Sequence, residues 1–443
     1  MTQTHSISAS QWTDNEKLIF RFFFIFFLLQ ALPLSVDLFK LLFGFNWLYI
    51  SYGNIFDLTR LAAKFIPGTD SLVNWLIVAV IALIGAAFWS RSKHKNANYN
   101  ELYYWLRVLV RYRLAIGIIG YGFIKFFPMQ APFPSISNLN TSYGDFTNWK
   151  LFSMSLGIVP GYESFLGAVE ILAGLLLFFR KTATVGAVII LVFTGNVFIS
   201  NLAYEGGEYV YALYLISLAL FILWFDALRI YNLIALERPT QPNGFKPYFN
   251  NNLRSIRTAA KGFIIFFFVF FYGFKTYSGS RHNPYQFPKT KGLPAAAGIY
   301  NVSEFRINNK TLPYNPADPI RWKDVVFEKW ATISIRSNRP VLIDSLNYER
   351  IFTNDQDRNY ELAGTGGRHY YAYQLDTTNH ALVLANKNFH YKGERFKFNY
   401  SRPDTATVIL KGTNEKGDSL YVVLNRIEKK YSLKMSRRKA LKL

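Results

Sequence analysis

Long apolar runs fill the first two thirds of the chain, and short alternating runs fill the rest. A helix needs about 20 mostly apolar residues to cross the hydrocarbon of a bilayer. About seven segments approach that length: roughly 18–35, 72–90, 106–127, 162–179, 183–202, 208–225 and 260–277. The first carries the aromatic run FFFIFF. It is followed by SVDLFKLLF, an amphipathic stretch of the kind that lies in a membrane interface. The pattern breaks near residue 278. From about Ala295 it alternates with period two, as in GIYNVSEFRIN, KWATISIRS, YYAYQLD, RFKFNYS and TATVILKG, with turn signals such as Asn-Glu-Lys-Gly-Asp at 414–418. About eight to ten strands at this spacing predict a small antiparallel barrel or sandwich. The expected fold is a membrane all-α helical bundle followed by an antiparallel β-barrel or sandwich.

Five regions follow from this pattern. Residues 1–105 form a two-helix membrane segment, 106–232 a four-helix module, 233–278 a loop with the seventh helix, 279–433 an exported β-rich domain and 434–443 a basic tail. Mean hydropathy is only +0.08, the average of an apolar and a polar part.

The formal charge of +22 over 443 residues raises a nucleic-acid partner. The basic residues sit mainly in short segments between apolar runs, where the positive-inside bias collects them, and this argues against nucleic acid. With a cytoplasmic N-terminus, the inside segments hold 13 Lys and Arg and the outside segments 4. That arrangement exports the C-terminal domain. Arg111 and Arg113 lie near the cytoplasmic end of the third span, where long side chains reach the interface. Polar residues precede Leu18 and no small-residue cleavage site follows the first run, so that helix is expected to act as an uncleaved signal-anchor. The expected location is the cell's inner membrane, with membrane lipids and an envelope protein as partners.

Cysteine is absent, which removes disulfides, thiol catalysis and Fe–S clusters. None of the six histidines falls in an apolar run, so a membrane haem held by two histidines is excluded, and no spacing among them suggests zinc. The run Gly364-Thr365-Gly366-Gly367 has no helix after it and reads as a loop, not a phosphate cradle.

The spans between Arg113 and Arg229 carry more specific residues. The third ends Gly-Tyr-Gly-Phe-Ile-Lys over 120–125, and an outer loop with Tyr143-Gly144-Asp145 follows. The fourth contains Tyr162-Glu163 and Glu170, then a Leu-rich stretch and the basic turn Arg180-Lys181; the fifth contains Asn196 and Asn201. This order resembles the DoxX-like membrane proteins, four-helix modules with a Lys at the end of the first helix and a Glu in the second. The resemblance covers roughly 106–232. It implies a four-helix core and, as for some members, quinone-coupled oxidation. The β-region, opening on GIYNV and closing on an aliphatic strand, is similar to lipocalin-like barrels.

Helix geometry places these residues independently. Tyr121 lies one turn below Lys125 on an outward-running helix. Glu170 lies about 12 Å down an inward-running one at 1.5 Å per residue, with Glu163 above it on the same face. Asn196 falls at a similar depth on the fifth span, with Asn201 above. An ionised group inside a membrane faces the bundle interior unless it is wetted. One reading is therefore a polar cavity of Tyr121, Lys125, Glu163, Glu170, Asn196 and Asn201, with Glu170 as proton acceptor or ligand anchor. The other is an interhelical clamp that fixes packing.

Three functions compete. The first is an envelope scaffold or complex subunit docking partners through its β-domain. The second is a quinone-linked oxidoreductase subunit, as the DoxX resemblance implies, with electrons supplied by a partner. The third is a lipid-modifying or carboxylase-like enzyme, since the vitamin K-dependent carboxylase group has a similar layout. No cofactor motif stands in the sequence, and quinone or lipid are the ligands these readings allow.

Overall fold

A computed structural model describes residues 12–32, 36–66, 70–92, 97–241, 245, 247, 251–282, 288–344 and 355–435. The basic tail beyond Met435, His5 and His94, and the loop cations Lys93, Lys95 and Lys246 lie outside them. The chain divides into two compact units. One takes Met1–Phe127 and Ser164–Gly279; the other takes Pro128–Glu163 and Ser280–Leu443.

The helices, in chain order, begin with α1 (Asp14–Ala31), α2 (Val36–Gly44), α3 (Tyr52–Thr59), α4 (Leu72–Arg91) and α5 (Tyr99–Phe126). Next come α6 (Ile136–Leu139), α7 (Asn148–Gly157), α8 (Pro160–Leu177), α9 (Ala183–Ala203), α10 (Tyr209–Trp224) and α11 (Ala227–Ile234). The last long stretch is α12 (Asn251–Ile265), a π turn over Phe266–Phe271, and α13 (Tyr272–His282). Side-chain caps start several of them. Thr13 and Glu16 form a capping box on α1, Ser71 caps α4 and Asn98 caps α5, each satisfying amides that a helix start leaves open.

In the helical unit, apolar side chains point outward as well as inward. On α4, Leu76 is 65 % and Phe88 70 % exposed, and on α9 Val192 is 71 % exposed. Among the described residues, five stretches are long and apolar enough to cross a membrane: Asp14–Gly44, Leu72–Arg91, Pro160–Leu177, Ala183–Ala203 and Asn252–His282. The pair α10 and α11, bent by 73°, makes a sixth if taken as one span. The 28-residue α5 carries Arg107, Arg111, Arg113 and Lys125, charges that set it apart from the others. The buried core joins Phe27, Val110, Leu114, Ile118, Leu177, Leu215 and Leu218 from α1, α5, α8 and α10.

In the second unit the strands are β1 (Gly298–Ile307), β2 (Lys310–Thr311), β3 (Asp324–Phe327), β4 (Thr332–Arg336) and β5 (His369–Asp376). They continue with β6 (Ala381–Asn386), β7 (Arg395–Ser401), β8 (Thr407–Asn414) and β9 (Ser419–Ile427). Each pairs antiparallel with its neighbour, β1 pairs with β3, and β9 returns to β1. The result is a closed eight-stranded barrel with the short β2 added to β1, the up-and-down architecture of lipocalin-like barrels. A bulge between Val302 and Glu304 resets the alternation of β1. Tyr300, Val302 and Phe305 thereby all enter the core while Glu304 stays outside it, since one extra residue inverts which face the rest of a strand presents. Side chains fill the interior, among them Trp322, Tyr371, Tyr373, Phe396, Phe398 and Leu424.

One sector of the barrel is buried on both faces. Val326, Ser334 and Tyr370 alternate with core residues of β3, β4 and β5, yet all are buried. The segment 128–163 and the turn before β5 cover them. Ser137 Oγ lies 2.8 Å from Ser334 Oγ, and Tyr360 donates to Pro132 O at 2.6 Å. Phe146 bridges antiparallel to Thr365. Gly364 adopts φ +68°, and a Cβ there would meet Thr147 Oγ1 at 2.5 Å. On Gly367 it would meet the Asp145 carboxylate at 2.5 Å. The glycine run is thus a close-approach site for the segment beside it.

Candidate functional site

In the helical unit, small residues bring α5 and α8 together. A Cβ on Gly167 would stand 2.3 Å from the Phe126 amide nitrogen and 2.5 Å from Gly122 O. The two backbones therefore touch, and Lys125 Nζ reaches Glu170 Oε1 at 2.5 Å. Both side chains are buried. The rings of Phe193 and Tyr121 lie 5.7 and 6.0 Å from the ammonium. Glu170 Oε2 and Thr194 Oγ1 are buried without a hydrogen-bond partner among the described residues. Glu170 thus offers one paired oxygen and one open acceptor.

A second polar centre adjoins the first through Tyr121. Its hydroxyl donates to Glu208 Oε2 at 2.6 Å, and Arg60 Nη2 donates to the two oxygens of Glu208 at 2.9 and 2.7 Å. The Arg60 guanidinium lies within 5.7 Å of the rings of Phe56, Tyr121 and Tyr211. Asp70 pairs with Lys64 at 2.9 Å and lies 3.9 Å from Arg60. Asn201 accepts from the Glu208 amide at 3.1 Å and donates to Val197 O at 2.9 Å. Arg113 donates to Thr59 O at 2.8 Å and to Leu61 O, holding the chain end of α3. A small cleft lined by Ala62, Asp70, Asn74, Tyr211 and Tyr214 opens beside this centre.

The expected six residues therefore divide. Lys125 and Glu170 meet, and Tyr121 and Asn201 share Glu208. Two do not join them. Glu163 belongs to the second unit, where its carboxylate accepts from the amides of Gln130 and Ala131 at 2.9 and 3.3 Å. Asn196 is exposed. The buried face of α9 runs through Ala187, Ile190, Thr194 and Asn201, and two residues beyond Thr194 a helix has turned by about 200°. Arg60, Asp70, Thr194 and Glu208 were not anticipated. In sequence Arg60 is one of the four outer-segment cations. Glu208, an acid just before an apolar run, is the signal that was there to find.

The second unit holds buried charges of its own. Glu328 accepts from Ser137 N and Oγ, each at 2.7 Å, and from Ile136 N at 3.2 Å. Burial keeps it above the ordinary carboxylate range, although the Ser137 hydrogen bonds pull it down. Glu361 meets Arg358 at 2.5 Å and Lys387 at 4.0 Å. Burial would raise it, and these cations overcome that and leave it lowered. Arg339 pairs with Glu394 at 2.8 Å and donates to His369 at 3.0 Å. Burial and then the Arg339 charge push His369 down to about 4. Among the described residues no cluster of His, Asp and Glu could hold a metal ion.

Comparison with protein-family models, curated proteins and solved structures gave no match.

Proposed function

We propose that this chain is a multi-pass protein of the inner cell membrane, with a cytoplasmic N-terminus and the β-unit on the extracytoplasmic side. In this reading it is a scaffold or subunit of a membrane complex that docks protein partners through the β-unit. Membrane residence is supported by long helices that expose many large apolar side chains, and by the pairing of Lys125 with Glu170 and of Arg60 with Glu208, as a hydrocarbon surround favours. The observation that carries the scaffold reading is the filled barrel. Its interior is taken by its own aromatic and aliphatic side chains, so its outer surface is what it offers to others.

A second reading, a quinone-linked oxidoreductase subunit of DoxX type, is favoured by one feature. Among the described residues, Glu170 Oε2 is a buried acceptor with no donor, and its partner Lys125 Nζ lies 6.0 Å from the Tyr121 ring. The meeting of Lys125 and Glu170 also suits the DoxX-like order of motifs. A quinol hydroxyl would donate to that oxygen, and a partner would supply or take the electrons.

Mass spectrometry of the protein extracted gently from native membrane separates the two. A stoichiometric protein partner with no bound small molecule supports the scaffold. A near-stoichiometric quinone that disappears in Glu170→Gln refutes it and establishes the second reading.

A further inference from the structure

At one end of the helical unit, cations from three elements gather. Arg107 and Arg111 are one turn apart on α5, Arg180 lies between α8 and α9, and Arg257 and Lys261 are one turn apart on α12. They act on one another. Arg107 is repelled by Arg111 and Arg180, and Lys261 by Arg111 and Arg257. Tyr104 joins two of them: Arg257 Nη1 donates to its hydroxyl at 3.3 Å, and Arg180 lies 6.0 Å from its ring.

Acidic compensation is thin. Asp226 attracts Arg107, but its oxygens are engaged by Thr184 at 2.7 Å and Arg229 at 3.8 Å. Among the described residues no carboxylate stands within ion-pair distance of Arg107, Arg111 or Lys261. The Nε atoms of Arg107 and Arg111 are buried with no hydrogen-bond partner there. Arg107 stacks on the Phe225 ring at 3.3 Å, and Arg111 stands in repulsion with both Arg107 and Lys261; partly buried cations so placed are stabilised by an anion that accepts from several donors at once. Phosphate does this best, because its oxygens match the planar fork of arginine.

We propose that this cluster binds the phosphate of an anionic phospholipid headgroup. The inference rests on the membrane reading above. The surroundings select a lipid over a free anion. Lys261 Nζ sits 4.0 Å over the ring of Phe179, which is 54 % exposed, and Phe263, two residues along α12, is 66 % exposed. Such faces take acyl chains, and basic pockets between membrane helices are where anionic headgroups bind.

The test uses the full-length protein in phosphatidylcholine nanodiscs with and without phosphatidylglycerol, counting retained phosphatidylglycerol by native mass spectrometry. The wild type retains about one phosphatidylglycerol per chain. Arg111→Gln with Lys261→Gln lowers retention about tenfold or more, because each removed contact is a charge-assisted hydrogen bond. Lys17→Gln, at a cation paired with Asp14, leaves retention unchanged. Lys261→Gln alone decides the matter if Arg111→Gln impairs folding. Equal retention in variants and wild type, or no preference over phosphatidylcholine, overturns the site. Inorganic phosphate that displaces the lipid and raises the thermal midpoint equally makes it a free-anion site and overturns the lipid assignment. Flotation with phosphatidylcholine vesicles is scored separately. A protein that floats but shows no preference loses only this site, whereas one that does not float loses the membrane reading as well.

Discussion

Consider replacing Lys125 by Met, Glu170 by Leu, and both together. The pair sits at 2.5 Å with both side chains buried. At an effective dielectric of about 20 the Coulomb attraction at that separation is about 6–7 kcal/mol. Desolvation of the two ions takes back much of it, so the pair adds little over an apolar pair of similar size. Each single replacement, however, strands one buried charge and should destabilise the helical unit by about 3–5 kcal/mol. The double variant should return to within about 2 kcal/mol of wild type, since packed apolar side chains replace a closed ion pair at small net change. Unfolding in mixed micelles, followed by tryptophan fluorescence, gives the three differences. A double variant whose loss equals the sum of the singles to within about 0.5 kcal/mol would show that the two residues do not interact and would refute the geometry.

Acid should weaken the β-unit through His369. Its pKa falls from 6.5 in the unfolded chain to about 4 in the fold, so the unfolded state takes up the proton first. The contribution is complete above about pH 6.5 and is lost as pH falls towards 4, at about 1.4 kcal/mol per unit and roughly 3 kcal/mol in all. Glu328, raised by burial, acts in the opposite sense across part of that window, so wild type must be compared with His369→Gln by urea unfolding at several pH values. Equal slopes in the two proteins would sink the assignment. Gly167→Ala should force α5 from α8, because the new methyl would meet the Phe126 nitrogen at 2.3 Å. A loss of about 1–3 kcal/mol is expected from such overpacking, and an unchanged thermal midpoint would count against the backbone contact.

Much of this architecture was legible in the residue pattern. The runs at 72–90 and 183–202 match α4 and α9 within one residue at either end, because an apolar helix advertises itself by composition alone. The turn at 414–418 appears as the β8–β9 hairpin, with Asp418 N donating to Asn414 Oδ1 at 2.9 Å. The double burial of β3 to β5 was less visible. Val326, Ser334 and Tyr370 owe their cover to chain far away in sequence, and no local period encodes that. The polar site was half legible. Lys125 and Glu170 are rare charges in apolar runs and stand out. Asn196 misleads because depth along α9 carries no rotational phase, and the buried face passes through Thr194 instead. Glu208 and Arg60 escaped because they flank helices, where charge is expected for other reasons.

The cover on the β-unit has a bearing on how the protein is made. Ser137 meets Glu328 across 191 residues, and the Lys150 ammonium meets Tyr360 O across 210. A ribosome finishes the covering segment long before the strands it completes, so that segment must wait unpaired while four more long helices are synthesised. Contacts this distant in sequence make assembly slow. A gene fragment starting at residue 280 would leave Glu328, Ser334 and Arg368 facing water or one another. Such a fragment should be insoluble when expressed alone, and co-expression of 128–163 as a separate peptide should rescue it. The boundary that matters for cutting this gene is therefore not the place where the apolar runs stop.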